Sequence, residues 1–423
     1  MLVTTLTGGL SVDILTLNEE TFDSFLLKSQ QIHKEAIQKS LENRDKDIYT
    51  KINHERFILI RIDERTILSS YGIIKFKRRY YYDSFLNEYC YLLDNLMQIP
   101  KSARMTNELI LKILDLASIM SYKEVGEHLS NEFVISKYTI WKTINEVLLE
   151  TYFDTEINRK DNKIHVQIDE KFIGMINSTN KKKYYTMTIF AGKEKSGNSY
   201  KLLNKTVLSS SVLMDLKKKI NDILINRYKV SPDEEIFISG DFATYIQNFE
   251  DSITCCKSKY VPDKFHVYKA LKDTLPDLYV DDYSLNDIEF QNYIVKQLEN
   301  TEDFNAKKLR NVVKKNPEIF KPYLDPNYLG CSQEGQNSHI YAPRFGKYAN
   351  RFSPSTIEKL SMIREAKVMK AKVVLVHKYR KIPELIDISI SEPYEDPMKY
   401  VLDTSEMKYE TAKMFNAIKY GGM

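Results

Sequence analysis

The sequence predicts an α/β fold with an α-rich amino-terminal region, and three observations predict it. Residues 163–272 alternate between short apolar runs of strand length and helical stripes. Three of those strand signals come in succession before the first helix of the stretch, which suits a mixed sheet. Residues 107–148, by contrast, show helical periodicity throughout. The chain has 423 residues, 43% hydrophobic and 28% charged, enough for a sizeable core. At about 150 residues per domain it should hold two or three domains.

Residues 18–45 read as a charged amphipathic helix with Phe22, Phe25, Leu26, Ser29, Ile32 and Ala36 along one stripe. Residues 56–82 alternate as a hairpin with a turn near Ser69–Gly72. Its second arm, KFKRRYYY, interleaves Lys75, Lys77, Arg78 and Arg79 with aromatics. Such a strand either lies on nucleic acid or is a solvated face beside a core face. Of the three helical segments in 107–148, the second opens with Ser121 and Glu124 in capping-box spacing, and Ser136 can cap the third. Helix, turn and a helix bearing Lys137, Tyr138 and Lys142 outline a helix-turn-helix, or an ordinary helical hairpin.

Further on, IHVQI ends at Asp169, KYYTMTIFAG is a second strand, and KLLNKTVLS a third after the turn SGNS. A helix over 212–228 presents Val212, Leu216, Ile220, Ile223, Leu224 and Tyr228 on one face. IFIS is a buried strand running into Gly240 and Asp241. A short helix over 243–249, a strand over 259–262 and a helix from Lys264 complete the series. Three hairpin-linked strands followed by αβ crossovers are the order of a ribonuclease-H-like core with helices on both faces. The expected divisions are 1–55, a helical segment; 56–100, the hairpin; 101–155, the helix-turn-helix-like region; 160–275, the core; 276–330, a helical insertion; and 331–423, the end of the core with a basic tail.

Lys and Arg total 62 against 58 Asp and Glu, a net charge of +4 that is too mild to announce a nucleic-acid partner. Charge is therefore read locally. Residues 305–321 hold six cations, among them Lys307, Lys308 and Arg310, and one anion; residues 364–381 hold seven and one. Either cluster would neutralise phosphates along a duplex, or be a solvated helix face. The cysteines Cys90, Cys255, Cys256 and Cys331 show no CxxC spacing, which points to a reducing compartment. With no basic segment before its first apolar residues and no run of about 18 apolar residues, the chain is expected to be cytoplasmic and not membrane-bound.

Asp169 and Asp241 each end a strand, and in open α/β sheets sites form at the carboxyl ends of neighbouring strands. Two carboxylates held close repel, and a divalent cation relieves that. Hard oxygen donors suit Mg²⁺ or Mn²⁺, and two such ions about 4 Å apart support in-line phosphoryl displacement. A third acid is expected on a later helix, with Glu334 the candidate. Glu170 is the decoy, because a slip of one residue would swap its face with that of Asp169. Asp263 and His266, after the next strand, either orient a carboxylate or phosphate, or cap a buried polar pocket.

IDEKFIGM, SGDFATYI, DKFHVYKAL and CSQEGQNSHIYAPR, in that order, resemble the insertion-sequence transposases of the ISLre type, bacterial mobile-element proteins long filed as an uncharacterised family. YGIIKFKRRYYYD, LLDNLM and SYKEVGEHLS match the same family upstream, so the resemblance spans roughly residues 60–365. More distantly the chain resembles the Mutator-like transposases, which carry a helical insertion before the last acid. The resemblance implies a DDE transposase with a ribonuclease-H-like domain that uses two Mg²⁺ ions to cut and join double-stranded DNA, as a dimer or higher assembly. It places the first acid on Asp169, the second on Asp241 and the third on Glu334, with DxxH on Asp263 and His266. Arg344, which closes the last motif, joins the expected DNA contacts. The chain departs from the family pattern at Phe242, at Tyr245 and in FGKYANRFSPST. Competing expectations are a nuclease of the same fold without strand transfer, and a non-catalytic DNA-binding protein retaining a dead core.

Overall fold

A computed structural model describes residues 10–97, 99–129, 133–152, 157, 159, 163–176, 178–197, 199–346 and 351–376. The side chains of Phe22, Phe25, Leu26 and Ser29, residues 131–132 of the expected inter-helix break, residues 347–350 and the basic tail from 377 onward lie outside the described residues. The chain divides into two compact units, 1–148 with 375–400 and 149–374 with 401–423.

The first unit begins with α1 (Leu10–Lys51), then β1 (Phe57–Ser69), β2 (Gly72–Asp83) and β3 (Glu88–Cys90), which form an antiparallel sheet in that order. Gly72, at φ 118°, closes the β1–β2 turn where the sequence expects one, opposite Ser69. Alternation along β2 buries Ile74, Phe76 and Arg78 and exposes Lys75 and Lys77. Arg78 therefore lands on the core side, where it and Arg65 share the buried carboxylate of Asp94 in α2 (Leu92–Leu96). The Arg78 guanidinium also stacks 3.5 Å over the Tyr91 ring, and burial lowers its pKa to about 10. Arg79 points to the other side and is taken up by α1, pairing with Asp45 at 2.5 Å and lying over Tyr49. Of the four cations expected to contact nucleic acid on this strand, Arg78 and Arg79 are engaged by internal carboxylates, and Lys75 and Lys77 are exposed.

Three helices follow, α3 (Asn107–Ala117), α4 (Tyr122–Leu129) and α5 (Lys137–Glu146). Each starts on the cap its sequence supplies. Thr106 accepts from the Leu109 N–H, Ser121 and Glu124 exchange the two bonds of a capping box, and Ser136 accepts from the Thr139 N–H. Leu109, Ile113, Val125, Ile140 and Ile144 bury the shared face, and a Cβ on Gly126 would stand 2.7 Å from the Ile135 carbonyl oxygen. Lys137, Tyr138 and Lys142 are exposed on α5.

β4 (Leu148–Tyr152) leads into the second unit, which continues with β5 (His165–Ile173), β6 (Lys182–Phe190), β7 (Lys193–Ser196), β8 (Ser199–Leu202), β9 (Thr206–Ser210), α6 (Leu213–Asn226), β10 (Glu235–Gly240), α7 (Thr244–Gln247) and β11 (Lys257–Pro262). Five strands make one mixed sheet in the order β11-β10-β5-β6-β9. β6 runs antiparallel to β5 and β9, whereas β10 is parallel to both β5 and β11. KLLNKTVLS is not one strand. Asn204 turns into the left-handed region at φ 51°, so Lys201 and Leu202 pair with β7 in a separate hairpin, and the sheet strand starts at Thr206. Asn tolerates that conformation better than other residues with a side chain.

The remaining elements are α8 (Lys264–Thr274), α9 (Ile288–Gln297), α10 (Phe304–Lys315), α11 (Gln333–Ile340), α12 (Ala342–Phe345), α13 (Pro354–Met369) and β12 (Lys372–Val376). Leu216, Ile220, Leu224 and Tyr228 of the α6 face pack on Val166, Ile168, Ile189 and Ile238, while Val212 is exposed at the helix start. Leu285, Ile294, Leu309 and Val313, from the stretch expected to be an insertion, join the same core. No helix among the described residues is long and apolar enough to cross a membrane.

Removing the Asp94 carboxylate takes a shared counter-charge from two buried guanidinium groups, a loss on the order of 3–5 kcal/mol. Urea unfolding of Asp94→Ala, followed by the fluorescence of Trp141, should show a clearly lower midpoint than the native chain. Superimposable curves would show that the shared ion pair contributes nothing.

Candidate active site

β5, β10 and β11 run parallel and bring a carboxylate to the same level: Asp241 after β10, Asp263 after β11, and Asp169 midway along β5, which runs on to Ile173 instead of ending at Asp169 as the sequence expects. The strands approach so closely there that a Cβ on Gly240 would stand 2.5 Å from the Ile168 carbonyl oxygen. The Asp263 N–H donates to the Gly240 carbonyl at 2.8 Å, and the Tyr260 hydroxyl donates to the Asp241 carbonyl at 2.7 Å. Asp263 caps α8 by accepting from the Phe265 N–H, and His266 brings Nε2 to 3.8 Å from its Oδ2.

The alternation of β5 decides between Asp169 and Glu170. Ile164, Val166 and Ile168 enter the apolar core, while His165, Gln167 and Asp169 share the opposite face and meet residues 329–337. Glu170 leaves on the other side, where Lys183 holds it at 2.8 Å.

On the Asp169 face a ladder of polar bonds carries the late segment. The Leu329 N–H donates to His165 Nε2 at 3.0 Å. Gln167 donates to the Gly330 carbonyl at 2.9 Å and accepts from the Ser332 N–H at 3.1 Å. Asn337 Nδ2 donates to Asp169 Oδ2 at 2.7 Å, and the Thr186 hydroxyl donates to Asn337 Oδ1 at 2.8 Å. Burial lowers the His165 pKa to about 4, so the ring is neutral and accepts through Nε2. Glu334 lies in the first turn of α11, three residues before Asn337 and exposed to solvent.

The acids feel one another. Burial, with the charge of Asp241 adding to it, pushes the Asp169 pKa up to about 6, against the Glu170 N–H and Asn337, which favour the ionised form. Burial also raises Asp263, and the charges of Glu334 and Asp241 act in the same direction, opposed by His266. Asp169, Asp241, Asp263, Glu334 and His266 thus share one electrostatic neighbourhood. Among the described residues, however, no three or more His, Cys, Asp and Glu side chains stand in an arrangement that would hold a metal ion. Both Asp169 oxygens carry hydrogen bonds, and Glu334 faces solvent. The donor chemistry itself, repelling carboxylate oxygens with a raised Asp169, fits a hard divalent cation.

Sequence reasoning missed His165, Gln167, Thr186 and Asn337. Polar residues at every second position before Asp169 were the available signal, since a strand inside a sheet offers its polar side chains few uses except to bind another segment. Phe242 turns into the core at 3% exposure and does not narrow the approach to Asp241, and Tyr245 packs edge-on against Tyr185. Arg344 is buried under the Phe352 ring, and Arg310 donates to the Leu298 and Glu299 carbonyls at the end of α9. Lys307 pairs with Glu302, and Lys308 lies over Phe304.

The family described as "Uncharacterised protein family (UPF0236)" matches residues 13–367. A UPF0236 protein of Caldanaerobacter subterraneus subsp. tengcongensis is 24% identical over 351 residues, covering 79% of this chain and 74% of its own length, and its name joins eleven loci. Another from the same organism is 23% identical and covers 79% of this chain and 75% of its own. A third, with four loci in its name, is also 23% identical.

A carboxyl whose folded pKa lies above its unfolded value holds its proton more tightly in the folded chain, so stability is lost as pH rises through about 6. In EDTA, Asp169→Asn should match the native Tm at acid pH, where Asp169 is protonated, and exceed it by a few degrees above neutrality. Equal Tm values across that range would mean that Asp169 is not held in the environment described.

Proposed function

The chain belongs to the UPF0236 family, and we propose that it is a DDE-type transposase that cuts DNA at the ends of a mobile element and joins them to target DNA. The observation that carries this reading is the convergence of Asp241, just after β10, on Asp169, midway along the adjacent parallel strand β5, with the helix of Glu334 tied to Asp169. The sheet order, three antiparallel strands flanked by two parallel ones, agrees with a ribonuclease-H-like core. The relatives add support of a different kind: a protein whose name joins eleven loci of one organism is what a copied element leaves behind.

In this reading Asp169, Asp241 and Glu334 hold Mg²⁺ or Mn²⁺. When bound, two such ions activate the attacking hydroxyl and stabilise the leaving oxygen of an in-line displacement. The chain's residues do the rest. The hydrogen bonds on both Asp169 oxygens fix the plane of that carboxylate before any ligand arrives. His266, beside Asp263, is placed to donate to a phosphate oxygen. In cleavage a water oxygen bonds to phosphorus as the bond to the 3′-oxygen breaks; in joining, the freed 3′-hydroxyl attacks a target phosphodiester and displaces its 3′-oxygen. Lys137, Tyr138 and Lys142 on α5, read as the second helix of a helix-turn-helix, and Lys75 and Lys77 on β2 supply duplex contacts. Two element ends cut together call for a dimer or larger assembly.

A second reading, a DNA-binding protein without catalysis, is favoured by the missing metal-holding arrangement among the described residues. A supercoiled plasmid carrying the gene with its flanking DNA separates the two. The purified chain with Mg²⁺ should nick it and yield joined products, and Asp169→Asn should lose about 10²–10³-fold in rate while binding DNA as before. Cleavage without joined products would identify a nuclease. Binding without cleavage, or an Asp169→Asn variant as active as native, would refute the transposase proposal.

A further inference from the structure

Asn337 is nearly buried, at 7% exposure, and its amide bridges two groups of opposite need. Its Oδ1 accepts from the Thr186 hydroxyl at 2.8 Å, and its Nδ2 donates to Asp169 Oδ2 at 2.7 Å. The orientation of the amide follows from this pairing. Turned the other way, the amide oxygen would face a carboxylate oxygen, two acceptors without a hydrogen between them. Thr186 is itself fully buried, lies opposite Asp169 in the β5–β6 register, and accepts from Gln333 Nε2 at 3.0 Å. Its single hydroxyl hydrogen has two acceptors in reach, Asn337 Oδ1 at 2.8 Å and the Asp169 carbonyl at 3.3 Å, and the shorter bond is the one to Asn337. The chain of bonds Gln333–Thr186–Asn337–Asp169 has a direction, and every link in it is side chain to side chain.

From this we infer that Asn337 is a positioning residue that sets the Asp169 carboxylate for its ligand, with Thr186 setting Asn337. The inference rests on the proposed catalytic role of Asp169. Asp169 Oδ1 is held by the Glu170 N–H at 2.7 Å and Oδ2 by Asn337, which leaves the remaining lone pairs of both oxygens in a fixed direction. Glu334 stands three residues before Asn337, on the same side of α11. One helix therefore delivers the third acid and clamps the first. Any shift of α11 moves Glu334 and Asn337 together, so the placement of Glu334 and the clamp on Asp169 are coupled.

The test uses the full chain and Mn²⁺ as the probe, with free Mn²⁺ counted by electron paramagnetic resonance. Asn337→Ala should weaken Mn²⁺ binding by about 10–100-fold, and should raise the Mg²⁺ concentration needed for half-maximal cleavage more than it lowers the saturated rate. Thr186→Val, which keeps the shape but not the hydroxyl, should act in the same direction, and it carries the test if Asn337→Ala does not fold. Thr186→Ser, which keeps the hydroxyl, should restore the affinity. Native-like Mn²⁺ affinity in folded Asn337→Ala or Thr186→Val overturns the inference. If the native chain neither binds Mn²⁺ nor cuts DNA, the catalytic reading fails on its own. The clamp is then judged on metal-free crystals of Asn337→Ala or Thr186→Val: a rotated Asp169 carboxylate upholds it, and an unmoved one refutes it.

Discussion

The polar face of β5 is the constraint on which the site depends. Three side chains at every second position, His165, Gln167 and Asp169, meet backbone and side-chain groups of residues 329–337. The His165 and Gln167 partners are main-chain groups, which are few and directional, so the late segment has essentially one register on the strand. Leaving any of these buried groups unpaired would cost about 1–3 kcal/mol. The same strand that carries Asp169 therefore determines where the helix of Glu334 begins. Gly330, at φ 72°, lets the chain turn between the Leu329 and Ser332 contacts.

This arrangement sets local stability against readiness. Asp169 is buried midway along β5 beside Asp241, where ionisation is disfavoured, and the Glu170 N–H, Asn337 and the charge of His266 act against that. The core beneath it bears the burden: Val166, Ile168, Ile189, Ile236 and Ile238 are fully buried, and Tyr228 anchors α6 through its hydroxyl to the Ile189 and Asn204 carbonyls.

Much of the second unit was legible because its signals are local. Strand alternation and the α6 stripe follow from periods of two and 3.6 residues, and the sheet order agrees with them, although β5 runs four residues past Asp169 to Ile173. The failures share a different cause. Arg78, Arg79 and Arg344 look like surface cations in one dimension, but their partners Asp94, Asp45 and Phe352 are distant in sequence or on another element. Guanidinium groups, planar and multiply donating, are the cations most readily taken into such internal pairs, whereas Lys75, Lys77, Lys137 and Lys142 stay exposed. Asn204 broke a strand that its neighbours favoured, an effect of one backbone angle that composition does not show. Asn337 was hidden for the same reason as the arginines, since its meaning comes from a strand far upstream.

The central claim is that carboxylates from three separate stretches of chain gather to hold divalent cations. Anomalous scattering from a crystal of the native chain grown with Mn²⁺ examines that claim without any assay. The account predicts anomalous peaks between the Asp169 and Asp241 carboxylates, with Glu334 drawn in from solvent toward them. Mn²⁺ found only elsewhere on the surface, with these side chains unmoved, would contradict it.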